Sequence, residues 1–176
     1  MTTKFVIPVA RLLGAAAVVV ALSSCGGASP QSTAPAHHSG GFDSGECNRI
    51  SDDDVNAAVG AGRFTKVVVS DAGCFWQENS MIGMVGAGMG ISTWWYRGSS
   101  LDLERTLERQ SGREVSELSL AGNNGFEASD SNACSVYVAK GADVITWSIQ
   151  TINPASLPDL CTIIRRLAQL TQDRVN

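Results

Sequence analysis

From position 47 onward the chain alternates between two hydrophobic periods, one near 3.6 residues and one of two, as expected for amphipathic helices and half-buried strands. Ser51 followed by Asp52, Asp53 and Asp54 predicts an N-cap with acids in the first helical turn. That helix continues through Val55, Ala58 and Val59 to a stop at Gly60 or Gly62. Capping accounts for the three aspartates better than a calcium site does. Phe64 to Val69 reads as a strand or extended approach and Cys74 to Glu78 as a strand, with Asp71-Ala72-Gly73 turning between them. Ile91 to Tyr96 is a further strand, with Trp94 and Tyr96 on one face and Ile91, Thr93 and Trp95 on the other, so both faces are expected to be covered.

A second helix starts near Ser99 or Ser100. Leu103 and Leu107 share one side of it, and Asp102, Glu104, Arg105, Glu108 and Arg109 form the expected solvated face. Four strand-like runs follow, Glu114 to Leu120, Gly125 to Ser129, Ala133 to Ala139 and Asp143 to Gln150. Gly122-Asn123-Asn124-Gly125 and Lys140-Gly141 are hairpin signals. Ser156-Leu157-Pro158-Asp159 reads as a capped start to a last helix carrying Leu160, Ile163, Ile164, Leu167 and Ala168 at helical spacing. The order α-β-β-α-β-β-β-β-α, with hairpins in place of alternating βα units, predicts an α+β domain. Its mostly antiparallel sheet has five to six strands and about three packed helices.

The first 46 residues follow a different pattern. Lys4 and Arg11 precede an apolar stretch from Leu12 to Leu22 that is too short to span a bilayer, which is the layout of a signal peptide over 1–24. Leu22-Ser23-Ser24-Cys25 resembles the lipobox of bacterial lipoproteins. The resemblance implies cleavage between Ser24 and Cys25, a diacylglyceryl group on the Cys25 sulfur and an acyl group on its new amine. At about 0.8 kcal/mol per buried methylene, two or three chains hold where one would not. Residues 25–46 are then a Gly, Ser, Pro and Ala-rich tether with a reach of roughly 25 Å, and His37-His38 within it lack the further ligands of a metal site. The folded domain is expected over 47–176.

The lipobox also resolves the odd count of five cysteines. Cys47, Cys74, Cys134 and Cys161 remain in an exported domain, where disulfides are the natural state. Three pairings are possible. Cys47–Cys74 and Cys134–Cys161 are favoured, because each then joins a helix start to a neighbouring strand across the same interval. Zinc is the rival, but no C-x-x-C occurs and no histidine follows His38.

Charge narrows the partners. The precursor carries −4, and loss of residues 1–24 removes Lys4 and Arg11 but no acid, leaving −6. No basic run is present, so no nucleic-acid partner is expected, and attachment to an anionic membrane must rest on lipid. Met81 to Gly90 lacks both phosphate-cradling glycine spacings and reads as an apolar loop or a ligand-lining lid. Without a domain histidine, a Ser-His-Asp or Cys-His engine has no base, and Glu78, Glu127, Asp130 and Asp143 stand isolated in sequence. No catalytic residue, cofactor or metal is expected. The strongest functional side chain is Arg97, which with Trp95 and Tyr96 could clamp an anionic or sugar ligand, or else stack structurally on an aromatic ring.

Together the lipobox, the tether, Gly73-Cys74-Phe75-Trp76, Trp95-Tyr96-Arg97-Gly98-Ser99, Cys134-Ser135-Val136 and Cys161 resemble the LprB/LprC-type lipoproteins of mycobacteria and related actinobacteria. The domain of that family has no known function. The resemblance implies a lipid-anchored protein of the cell envelope, on the outer face of the cytoplasmic membrane. Two roles fit the residues. One is a non-catalytic module that binds an envelope ligand or protein partner; the other is a carrier of lipid or another apolar ligand, with Trp94, Trp95 and Trp147 around a cavity.

Overall fold

The computed structural model describes residues 47–60, 64–79, 88–154 and 159–175. The signal peptide, Ser24 and Cys25, the tether, residues 81–87 of the glycine and methionine segment and Ser156 to Pro158 lie outside that set.

The described residues form three α-helices and seven strands. In chain order they are α1 (Asp52–Val59), β1 (Phe64–Ser70), β2 (Gly73–Glu78), β3 (Gly90–Tyr96), α2 (Leu101–Gln110), β4 (Glu114–Leu120), β5 (Asn123–Ser129), β6 (Ala133–Lys140), β7 (Asp143–Gln150) and α3 (Leu160–Val175). The strands form one sheet in the order β1-β2-β3-β7-β6-β5-β4, antiparallel throughout. The class is the α+β one expected, with seven strands where five to six were predicted. The additional strand is β1, which pairs with β2 from Phe64 to Ser70 across a register shift between Lys66 and Val68. It lies at the sheet edge, so Val67, Val68 and Val69 stay exposed despite their strand propensity.

Local signals set the element ends. Ser51 and Asp54 form a reciprocal capping box on α1, and Gly60 ends that helix in the left-handed conformation at φ 71°. Ser100 caps α2, and Asp159 caps α3 by accepting from the Thr162 backbone at 2.7 Å. The β4–β5 turn falls on Ala121 and Gly122, both at positive φ, so Asn123 and Asn124 belong to β5. Asn123 instead donates to Gln172 on α3 at 3.1 Å.

The two faces of the sheet differ. One carries Cys74, Trp76, Ile91, Val136, Val138, Trp147 and Ile149, all covered by α1 and α3, whose Val55, Val59, Ile163, Ile164, Leu167 and Ala168 complete the main core. Trp76 and Trp147 stack with centroids 5.6 Å apart, and each indole N–H is satisfied, by Asp52 and Thr171 respectively, at 2.9 Å. Two disulfides staple this side, Cys47–Cys74 and Cys134–Cys161. The first anchors a left-handed turn over Cys47–Arg49 that is also held by the buried Asn48, which donates to Thr93 at 3.2 Å.

Among the described helices the other face meets only α2, which covers Phe126, Ala128, Tyr137 and Val144. Here the helix is turned opposite to the predicted way. Leu103 and Leu107 are 53% and 50% exposed, whereas Leu101, Glu104, Arg105 and Glu108 face the sheet. The apolar sheet face is already occupied by α1 and α3, and the face left for α2 is lined with tyrosine hydroxyls, serines and Arg113, which a leucine stripe cannot satisfy. Arg105 lays its guanidinium 5.1 Å over the Phe126 ring, supplying apolar cover and charge together.

Candidate functional site

Among the described residues α2 covers mainly the β4–β6 side, which leaves most of the β2-β3-β7 part of the same face open, and the boundary between covered and open sheet is a groove. Three serines cross it side by side. Ser92 of β3 is in register with Ser148 of β7, and Ser148 with Ser135 of β6. Ser148 and Ser135 are hydrogen-bonded at 2.8 Å, and Arg113 donates to Ser135 at 3.0 Å through Nη1. The same Nη1 lies 3.1 Å from both carboxylate oxygens of Glu108, which also accepts from the Tyr137 hydroxyl. Asp130 stands 3.4 Å from Arg113 Nε.

This cluster is buried on the helix side. Glu108 is 9% exposed, and Arg113 Nη2 is buried with no hydrogen-bond partner among the described residues. Burial, and then the hydrogen bond to Glu108, hold the Tyr137 hydroxyl far above the ordinary tyrosine range, so it remains a donor at any physiological pH. Burial, with Glu104 and Glu108 nearby, pushes Tyr96 upward as well.

Two cavities meet in the groove. One, of about 260 Å³, is lined by Ser92, Ser135, Ser148, Glu108, Arg113 and Tyr137 among others. Its neighbour, of about 560 Å³, adds Gln77, Asp130, Asn132 and Ile152, and the two share Phe75, Gly90, Ala133 and Gln150. A third, of about 1040 Å³, lies at the start of α2 against the β6–β7 turn, with Ser99, Asp102, Arg105, Glu117 and Asp143 in its walls. None of the three has Trp94, Trp95 or Trp147 in its lining. Trp147 is locked in the core, and Trp94 is on the sheet face opposite Trp95, so the structure does not gather these rings around one cavity.

The Trp95, Tyr96 and Arg97 trio divides between faces. The Arg97 guanidinium lies 4.1 Å from the Trp95 ring and donates to the Asp71 carbonyl at 3.2 Å. Trp95 donates to Asp143 at 2.9 Å, and Asp143 also accepts from the Gly98 backbone at 2.8 Å. These bonds lock three turns together. Tyr96 points to the α2 side, with its ring centroid 6.4 Å from that of Tyr137.

The carboxylates singled out in the sequence are each engaged. Glu78 accepts from the Met89 backbone, Glu127 pairs with Arg165 at 3.2 Å, and Asp130 and Asp143 are bound as described. Glu127 also lies with the sulfurs of Cys134 and Cys161 in a group within 4.8 Å, but those sulfurs are bonded to each other and offer no thiolate to a metal. The serine row and the Glu108–Arg113 pair were not singled out from the sequence. The available signal was a serine between buried neighbours in each of three strands, Ile91-Ser92-Thr93, Cys134-Ser135-Val136 and Trp147-Ser148-Ile149.

Relatives carry names but no assigned activity. The "Putative lipoprotein LprB" of Mycobacterium leprae (strain TN) is 28% identical over 129 residues, spanning 70% of this chain and 66% of that protein, just under two thirds of its length. The protein of the same name from Mycobacterium tuberculosis (strain ATCC 25618 / H37Rv) is 28% identical over 131 residues, covering 70% and 68%. No solved structure matches. The family described as "Protein of unknown function (DUF3558)" matches residues 20–174, and the chain belongs to that family.

Proposed function

We propose that the protein is a non-catalytic binding module of the cell envelope, lipid-anchored through Cys25 at the outer face of the cytoplasmic membrane and presenting the open half of its sheet to a ligand or partner. The observation that carries this reading is the asymmetry of the sheet. Its apolar face is closed by α1 and α3, while the other bears an organised polar cluster beside two joined cavities. Cavities of this size with a few placed polar groups are the usual form of a ligand site. The lipobox and the names of the relatives support the anchor. A mass spectrum of the mature N-terminus, expected to show Cys25 carrying diacylglyceryl and acyl groups, tests the anchor, and an unmodified Cys25 overturns it. Organic extracts of the purified protein test the module. Stoichiometric lipid beyond the anchor would replace it with a lipid carrier.

A further inference from the structure

Gly90 leaves a gap in the open face where β2, β3 and β7 run side by side. Gln77 and Gln150 are both in register with it, one on each side, so their backbones stand two strand spacings apart, about 9.6 Å. The Phe75 ring fills the gap. A Cβ on residue 90 would come within 2.8 and 2.9 Å of two of its ring carbons, so the far edge of the ring reaches over the glycine. Ile152, 82% exposed, crosses Gly88 in the same way, within 2.5 Å of where a Cβ would be. Two glycines thus seat two apolar side chains beside a pair of amides, with the serine row forming the adjoining floor.

The charge balance selects the ligand. Glu78, Glu108 and Asp130 line the joined cavities against the single base Arg113, a surplus that repels an anion. Each carboxylate already has a partner: the Met89 N–H for Glu78, Arg113 and Tyr137 for Glu108, and Arg113 with the Asn132 N–H for Asp130. Little is left over to hold a cation. Besides the buried Arg113 Nη2, the polar groups of the groove without a partner among the described residues are the Gln77 and Gln150 amides and the Ser92 hydroxyl, which both donate and accept.

We propose that this groove binds a neutral saccharide, the sugar hydroxyls bridging the two glutamines and Ser92 while the C–H face of the ring rests on Phe75 and Ile152. The inference rests on the binding-module reading and names the class of its ligand. The test uses the full-length lipidated chain in a detergent without a sugar headgroup, with maltose, cellobiose and trehalose as probes and glucuronic acid and glucose 6-phosphate as anionic counterparts, read by saturation-transfer NMR and titration. At least one neutral disaccharide is expected to receive saturation. Its affinity should fall about tenfold or more in Phe75→Ala and in Gln150→Ala and stay unchanged in Leu103→Ala, with unaltered denaturation midpoints showing that the variants are folded. Silence from all three neutral probes overturns the proposal, as does binding that survives both groove substitutions or favours the anionic sugars. If the sugars fail while an envelope peptide protects β2, β3 and β7 from hydrogen exchange, the saccharide class falls and the binding module stands.

Discussion

Arg113 grips Glu108 through a single nitrogen, Nη1, 3.1 Å from each carboxylate oxygen, at the boundary between the covered and open halves of one sheet face. Both side chains are nearly buried, at 13% and 11% exposure. Removing one partner therefore takes away the nearest counter-charge of a nearly buried group. Glu108→Ala is expected to destabilise the protein by about 3 to 5 kcal/mol, leaving the Tyr137 hydroxyl unsatisfied and Arg113 with only Ser135 and Asp130. The double variant Glu108→Ala with Arg113→Met should recover part of that loss, and urea denaturation of the set measures both.

The inverted helix gives an opposite expectation. Leu103→Gln and Leu107→Gln replace exposed leucines with a good helix former and should shift stability by no more than about 0.5 kcal/mol. Ile164→Ala on α3, at a fully buried position, should cost about 2 to 5 kcal/mol. Equal losses at the three sites would contradict the orientation of α2.

Acid sensitivity should centre on Asp54. Arg174 grips it through two nitrogens, at 2.7 and 2.8 Å, and this contact, aided by Ser51, holds the Asp54 carboxyl well below the usual carboxylate range. A depressed folded value means that the stabilisation is fully present above the unfolded value of about 3.9. It is lost as pH falls from there through the folded value. Asp159, lowered by its bonds to Thr162, acts in the same direction. Asp54→Asn should flatten the acid limb of a plot of melting temperature against pH while lowering the plateau at neutral pH.

Each disulfide closes a loop with a sequence separation of 27, for which loop entropy gives a stabilisation of about 3 to 4 kcal/mol. Replacing Cys134 and Cys161 together with serine, or Cys47 and Cys74, should each lower stability by that order. Non-reducing peptide mapping of the unaltered protein should recover only these two linked pairs.

Glycine substitutions distinguish rigid from yielding neighbours. A Cβ on Gly125 would sit 2.3 Å from the Tyr137 carbonyl oxygen, which belongs to the backbone of the next strand and cannot step aside. At Gly90 the obstacle is the Phe75 ring, which can rotate. Gly125→Ala should therefore cost at least about 1 to 3 kcal/mol and Gly90→Ala less, with the latter changing the groove more than the melting temperature.

Patterning local to the chain predicted most of the architecture. The N-cap at Ser51 with its following aspartates, the stripe of Ile163, Ile164, Leu167 and Ala168, and the alternation of Cys134, Val136 and Val138 depend on residues a few positions apart, so their reading needed no knowledge of the fold. The lipobox is legible for the same reason. Orientation and assembly are not local. Leu103 and Leu107 have a helical period, but which side of α2 turns inward depended on what the sheet offered, and only the completed sheet shows that its apolar face is taken. Ser92, Ser135 and Ser148 are far apart in the chain and meet because the order β3-β7-β6 aligns them. The helices, all strands but the edge strand β1, and the four-cysteine framework are legible along the chain, because these follow from short-range spacing and turn chemistry. Tertiary structure alone decided which face stays open and which polar residues converge there, because both depend on strand register and on competition among helices for one apolar surface.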